Sequence, residues 1–217
     1  MSSATSPRVR ADLALAHRRS FDHIVSAGSR FTGAQRRRIA EVARDAYLTA
    51  DPPPPWERPY GEPLLDGAYR LARHAGTLTE QWYERLLAEG IDALEWVEVV
   101  GIVCAVVPPV AFARAIGVSL PVLPEAVPGA PTRLEALEVV AADLNWVPVA
   151  APADRTASVV QALSALPAEW NNLWQLAAAQ YMSDRQMDDP TWTRGTLSRP
   201  QMELVAGRLS LIRECFF

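Results

Sequence analysis

The stretch Phe31-Thr32-Gly33-Ala34-Gln35-Arg36-Arg37-Arg38-Ile39-Ala40 reads as a helix start: a hydroxyl residue, Thr32, stands three positions before Gln35 and ahead of apolar Ile39. At that spacing the Thr32 side chain can accept from the Gln35 backbone N–H while the Gln35 amide reaches back to the cap. The pattern continues to about Leu48. Asp51-Pro52-Pro53-Pro54-Pro55 then stops it, because proline removes the amide donor and clashes with the preceding turn. Asp92 and Glu95 repeat the spacing and open an apolar helix from Leu94 to Val107. Thr79 caps another that carries Trp82, Leu86 and Leu87 and ends at Gly90. Leu13, Ala16, Phe21, Ile24 and Val25 predict a first helix over about 11–27. A short helix from Val110 to Ile116 closes at Gly117, and helices resume over 157–166, over 167–181 and from Ser198 onward. No alternating strand pattern flanked by hairpin turns stands out, so the expected fold class is all-α.

With 217 residues, 49% hydrophobic and 21% charged, the chain has the composition of one soluble domain or two small fused ones. Acidic residues number 25 against 21 basic, which gives a phosphate backbone no net positive field and argues against nucleic-acid binding. Every basic residue is Arg, so lysine Schiff-base and P-loop chemistry are excluded. Residues 1–8 lack the apolar core of a secretory signal. The apolar stretch from Val99 to Phe112 is shorter than the roughly 20 residues a membrane helix needs and contains Pro108-Pro109, so it reads as a buried core helix. A cytoplasmic protein without a membrane span is expected. Cys104 and Cys215 are too few for a disulfide framework. His17 and His23 lie on different helix faces and, like His74, have no partner at metal-ligand spacing, so neither a metal nor another cofactor is expected.

The opening stretch recurs at one constant offset as Leu197-Ser198-Arg199-Pro200-Gln201-Met202-Glu203-Leu204-Val205-Ala206. The shared pattern is apolar-[Ser/Thr]-x-x-Gln-x-x-x-[Ile/Val]-Ala, which suggests two diverged helical repeats. Arg37 stands where the second copy has Glu203, and Thr49 where it has Cys215. Prolines at 121, 124, 128, 131, 148 and 152 mark an ordered wrap or linker between the halves. The expected division is therefore 1–117, a connecting segment 118–156, and 157–217.

The final segment, from Leu197 through Ser210-Leu211-Ile212-Arg213-Glu214-Cys215-Phe216-Phe217, resembles the active-site helix of the carboxymuconolactone decarboxylase/AhpD-like alkylhydroperoxidase superfamily. That family's signature is a glutamate, eleven intervening residues, Cys-x-x-Cys, and a histidine four positions further on. Glu203 and Cys215 match its first part in type and spacing. Leu78-Thr79-Glu80-Gln81-Trp82-Tyr83 and Trp96-Val97-Glu98-Val99-Val100 also look like the helical body of peroxidase-related members. The resemblance implies an AhpD-like helical bundle, a homo-oligomer, and thiol-dependent reduction of a peroxide substrate at the expense of a thiol reductant. It implies Cys215 as one member of the redox pair and Glu203 as a proton relay. The sequence ends one residue before the second cysteine of the signature would fall, so impaired turnover is the expectation. Lactone decarboxylation, the other branch of the superfamily, has no residue here that points to it.

Spacing alone limits this reading. On one continuous helix, twelve residues advance about 18 Å and about 1200°, which would hold Glu203 and Cys215 apart. A shared pocket requires a break near Arg213-Glu214, so that Cys215 begins a new helix whose amides favour the thiolate. Met202, Val205, Leu209, Ile212 and Phe216 make an apolar stripe expected to be buried. Cys104 reads as core, Arg36-Arg37-Arg38 as a solvated or salt-bridged run, and Glu95 as a cap beside Glu98. Trp82, Trp96, Trp146, Trp170, Trp174 and Trp192 read as packing anchors. The alternative to an enzyme is a non-catalytic helical oligomerisation or interaction module.

Overall fold

The computed structural model describes residues 8–142, 145–151 and 158–212, and the chain divides into two compact units, Met1–Leu176 and Ala177–Phe217. Among the described residues the first unit contains α1 (Ala11–Val25), α2 (Gly33–Leu48), α3 (Pro63–His74), α4 (Glu80–Ala88), α5 (Ala93–Ile116), a hairpin of β1 (Val139–Ala142) and β2 (Asn145–Ala150), and α6 (Ser158–Gln161). Helix α7 (Pro167–Gln180) begins in it. The second unit contains α8 (Asp184–Met187) and α9 (Arg199–Ile212). The predominantly helical character expected from the sequence holds.

The caps form as the spacing dictates. Thr32 accepts from Gln35 N–H and Gln35 returns to Thr32, and Asp92 and Glu95 make the equivalent pair at the head of α5. Thr79 caps α4 through Trp82 N–H. Gly117 ends α5 at φ 70°, a left-handed conformation that glycine adopts without a Cβ penalty. The core forms where α2, α3, α4 and α5 meet: Ile39, Ala43, Ala68, Tyr69, Trp82, Trp96 and Ile102 are buried together. The Trp82 and Trp96 rings meet edge to face at 5.1 Å.

Four local expectations are corrected. Helix α5 runs unbroken through Pro108 and Pro109 instead of stopping at Val107, giving 24 residues. Pro109 cannot donate to the Ala105 carbonyl, but Ser20 Oγ of α1 does so at 3.4 Å, and Asn172 Nδ2 donates to Ser20 Oγ at 3.2 Å. Helix α5 is therefore long and apolar enough, by length and composition, to cross a membrane, with half of its most apolar window buried inside the fold. Helix α3 was not expected, although Pro63 at its first position and buried Leu65, Ala68 and Tyr69 supply the start signal and periodicity. The segment expected to be strandless holds the antiparallel pair β1–β2, with Val139 opposite Ala150 and Val140 opposite Val149. Pro148 interrupts the donor pattern that would have announced β2. The helix expected over 157–166 is reduced, among the described residues, to Ser158–Gln161.

The proline-rich segment is an ordered wrap. Val127 N–H donates to Val25 carbonyl at 2.9 Å, Thr132 N–H to Gly28 carbonyl at 2.8 Å and Arg133 N–H to Ser29 carbonyl at 3.0 Å. Ser29 Oγ donates to the Leu134 carbonyl at 2.6 Å, and Arg37 Nε donates to the Pro124 carbonyl at 3.0 Å. These bonds dock the segment onto the corner between α1 and α2.

Candidate functional site

The same corner encloses the densest group of buried ionisable side chains among the described residues. Arg36 of α2 is fully buried, as is Glu98 of α5, and Glu169 of α7 nearly so. Of the two readings of the Arg36-Arg37-Arg38 run, solvated or salt-bridged, Arg36 takes the second, and does so fully buried. Arg36 Nη1 donates to Glu169 Oε1 at 2.7 Å and also to Glu98 Oε1. Its Nε donates to the Ile24 carbonyl at 3.1 Å and its Nη2 to the His23 carbonyl at 3.4 Å. One guanidinium thus satisfies the C-terminal carbonyls of α1 and bridges two carboxylates. Arg30 N–H donates to Glu98 Oε2 at 2.6 Å, and His23 Nε2 lies 3.0 Å from Glu169 Oε2.

Two glycines make this closeness possible. A Cβ on Gly28 would overlap Glu98 and Arg36, and one on Gly101 would lie 2.7 Å from Glu169 Oε2. Both carboxylates reach Arg36 across backbone that carries no side chain.

The carboxylates differ electrostatically. Burial pushes Glu98 up, and the Arg36 charge and the Arg30 N–H offset this only in part. Burial acts the same way on Glu169, but the hydrogen bond from His23 and the charge of Arg36 together hold it below its ordinary value. Burial opposes the Arg36 cation, yet Glu169 and Glu98 more than compensate. His23, 24% exposed, links the buried Glu169 carboxylate to the surface. Among the described residues no thiol or hydroxyl hydrogen-bonds to His23, Glu98 or Glu169, so the cluster holds no assembled nucleophile.

A pH prediction follows from the two directions. Glu169, depressed in the folded chain, contributes stability above its ordinary value of 4.5 that is lost as pH falls through its folded value. Glu98, raised, has the opposite sign: its ionisation penalty disappears on acidification. Urea unfolding from about pH 7 to about pH 3 should therefore show a flatter acid loss in Glu169→Gln than in the parent, and a steeper one in Glu98→Gln. Parallel profiles for all three would refute the assignment.

The residues expected to carry chemistry are placed as follows. Glu203 lies in the first turns of α9, exposed, accepting from Arg199 Nε at 2.5 Å and from Tyr181 Oη at 2.9 Å. The Arg199 hydrogen bond, with Tyr181, holds its carboxyl below the usual range. Cys215 lies outside the described residues, as does Phe216. Ser198 N–H donates to Gln201 Oε1 at 2.9 Å, matching the Thr32–Gln35 contact of the earlier stretch. The stripe expected to be buried is covered only at Met202: Val205 is 60% exposed, and Leu209 and Ile212 are comparably open. Cys104 is partly buried and burial pushes its thiol up to about 11. Among the described residues no group of three or more His, Cys, Asp or Glu side chains could hold a metal ion.

Sequence reasoning missed Arg36 and Glu169 and named Glu98 without its role. The one available signal was negative: each sits amid apolar helix-face residues, but nothing local says that the three converge. No family model matches the chain, and neither a curated protein nor a solved structure resembles it at a significant level.

Proposed function

We propose that this chain is a thiol-dependent peroxide-reducing oxidoreductase of the AhpD-like kind, cytoplasmic and homo-oligomeric, with Cys215 as the reactive thiol and Glu203 as its proton relay. The observation that carries the reading is the Glu203-x₁₁-Cys215 spacing in the sequence, with Glu203 in the first turns of α9. Two features support it. Glu203 is exposed and fixed by hydrogen bonds from Arg199 and Tyr181, while Cys104, its thiol raised to about 11, is a poor nucleophile. In the proposed step the Cys215 proton passes to Glu203, the sulfur attacks the peroxide, and the O–O bond breaks. The departing alkoxide takes the proton, leaving a sulfenic acid and an alcohol. One external thiol condenses with the sulfenic acid, releasing water and forming a mixed disulfide, and a second thiol attacks that disulfide, freeing Cys215 and leaving the external pair oxidised. The buried Arg36–Glu98–Glu169 cluster belongs to the scaffold in this reading.

Titration with a disulfide reagent at neutral pH tests it. One fast thiol per chain is expected, abolished by Cys215→Ser and retained in Cys104→Ser. No fast thiol in the parent, or a fast thiol that survives Cys215→Ser, overturns the assignment. A second reading, a helical interaction module, is favoured by the exposure of Leu204, Val205, Leu209, Leu211 and Ile212 on α9. A slow thiol at position 215 in an associating protein would favour that second reading.

A further inference from the structure

A cleft of about 400 Å³ opens in the first unit between the 55–66 segment and helices α3 and α4. Its charged lining is unbalanced: Arg58, Arg70 and Arg85 face Asp66 and Glu89, three cations against two carboxylates. Arg58 engages Glu89 through two hydrogen bonds of 3.1 and 3.0 Å, so that pair is closed. Arg70 is fixed by neutral acceptors only, Thr77 Oγ1 at 3.0 Å and the Thr77 carbonyl at 2.8 Å, and lies over the Trp82 ring at 5.6 Å. Arg85, exposed, forms no ion pair within 4 Å with a described residue, although its charge acts on Glu89; Asp66 attracts the Arg70 cation more than Arg85 repels it. Two guanidiniums lining one cleft, one held by Thr77 and the other exposed, in a lining with one cation in excess, make a site for an anion.

Two further observations point to an organic occupant. Asp66 is 5% exposed and lines the cleft; the Tyr60 backbone N–H and the charges of Arg58 and Arg70 act on its carboxyl, yet its Oδ1 makes no hydrogen bond of ordinary geometry with a described residue, and its Oδ2 is 3.7 Å from Arg58 Nε. A buried acceptor without a donor costs free energy that a ligand's polar hydrogen would recover. Trp56 lines the mouth of the cleft with 80% of its surface exposed, an indole with nothing packed on it. Pro55, Pro63 and Leu86 continue that apolar wall. The volume fits a single-ring molecule.

We propose that this cleft binds a small aromatic carboxylate, its anionic head between Arg70 and Arg85, its ring against Trp56 and Leu86, and a ring hydroxyl directed toward Asp66. The excess of one cation selects a monoanion, and the apolar wall discriminates against a bare inorganic oxyanion. The site shares no residue with Glu203 or Cys215, so its test is independent of the thiol reading.

Calorimetric titration of the full chain with benzoate, 4-hydroxybenzoate and inorganic phosphate decides the matter. Both aromatic carboxylates should bind, 4-hydroxybenzoate more tightly, with phosphate clearly weaker. Arg85→Ala, a change at an exposed position compatible with folding, should weaken both aromatic ligands by about tenfold or more. Arg114→Ala, outside the cleft, should leave them unchanged. Absence of aromatic carboxylate binding, binding indifferent to Arg85→Ala, or phosphate binding as tight as benzoate would overturn the proposal.

Discussion

Arg36→Met should lower the free energy of unfolding by about 3–5 kcal/mol, the cost of leaving buried charge without its partner. The substitution preserves length and apolar volume, so the loss comes from electrostatics rather than from a cavity. It strands Glu98 and Glu169, both buried, against each other, and it orphans the Ile24 carbonyl that Arg36 Nε satisfies. Urea unfolding measures the effect directly. The control is the triple variant Arg36→Met, Glu98→Gln, Glu169→Gln, which removes charge from all three positions and should regain much of the loss. A single variant within about 0.5 kcal/mol of the parent, the range of an ordinary surface change, would show that the cluster is not held by charge pairing.

Gly33→Ala should destabilise by about 2 kcal/mol, although glycine-to-alanine changes in helices ordinarily stabilise by about 0.4–1 kcal/mol. Gly33 opens α2 where the wrap crosses the end of α1. A Cβ there would overlap the Val25 carbonyl oxygen and lie 2.7 Å from that of Val127, and backbone cannot swing aside as a side chain can. The displacement would also strain the Val127 N–H bond to Val25. Gly207→Ala in α9 is the counterpart: nothing lies within 4 Å of its Cβ position, so the ordinary gain should appear. Denaturation midpoints of the two variants should move in opposite directions. A neutral or stabilising Gly33→Ala would mean that the wrap does not press on this corner.

What could be read from the sequence was what is decided within one turn. Thr32–Gln35, Thr79–Trp82 and Asp92–Glu95 settle helix starts by contacts between residues two or three positions apart, and those starts stand in the structure. The salt-bridged reading of Arg36 stands, but its partners were not legible, because they lie 62 and 133 residues away. Arg36 shares a helix face with Gly33, Ile39, Ala40 and Ala43, which marks it as the inward member of the run, but that periodicity does not name what it meets. The exposed face of α9 shows the reverse error: periodicity says that a face is apolar, but whether anything covers it depends on what else is present. The expected carboxylate is located, hydrogen-bonded to Arg199 and Tyr181, while its proposed sulfur partner, Cys215, lies outside the described residues.

The proline pair in α5 has an implication for how the helices find their alignment. Sliding α1 along α5 by one turn, about 5.4 Å, would preserve much of a greasy, self-similar interface. It would also carry Ser20 away from the single carbonyl that Pro109 leaves bare. The gap in the hydrogen-bond ladder therefore works as a keyed slot: one hydroxyl fits it, and the misaligned alternatives are penalised by a stranded acceptor.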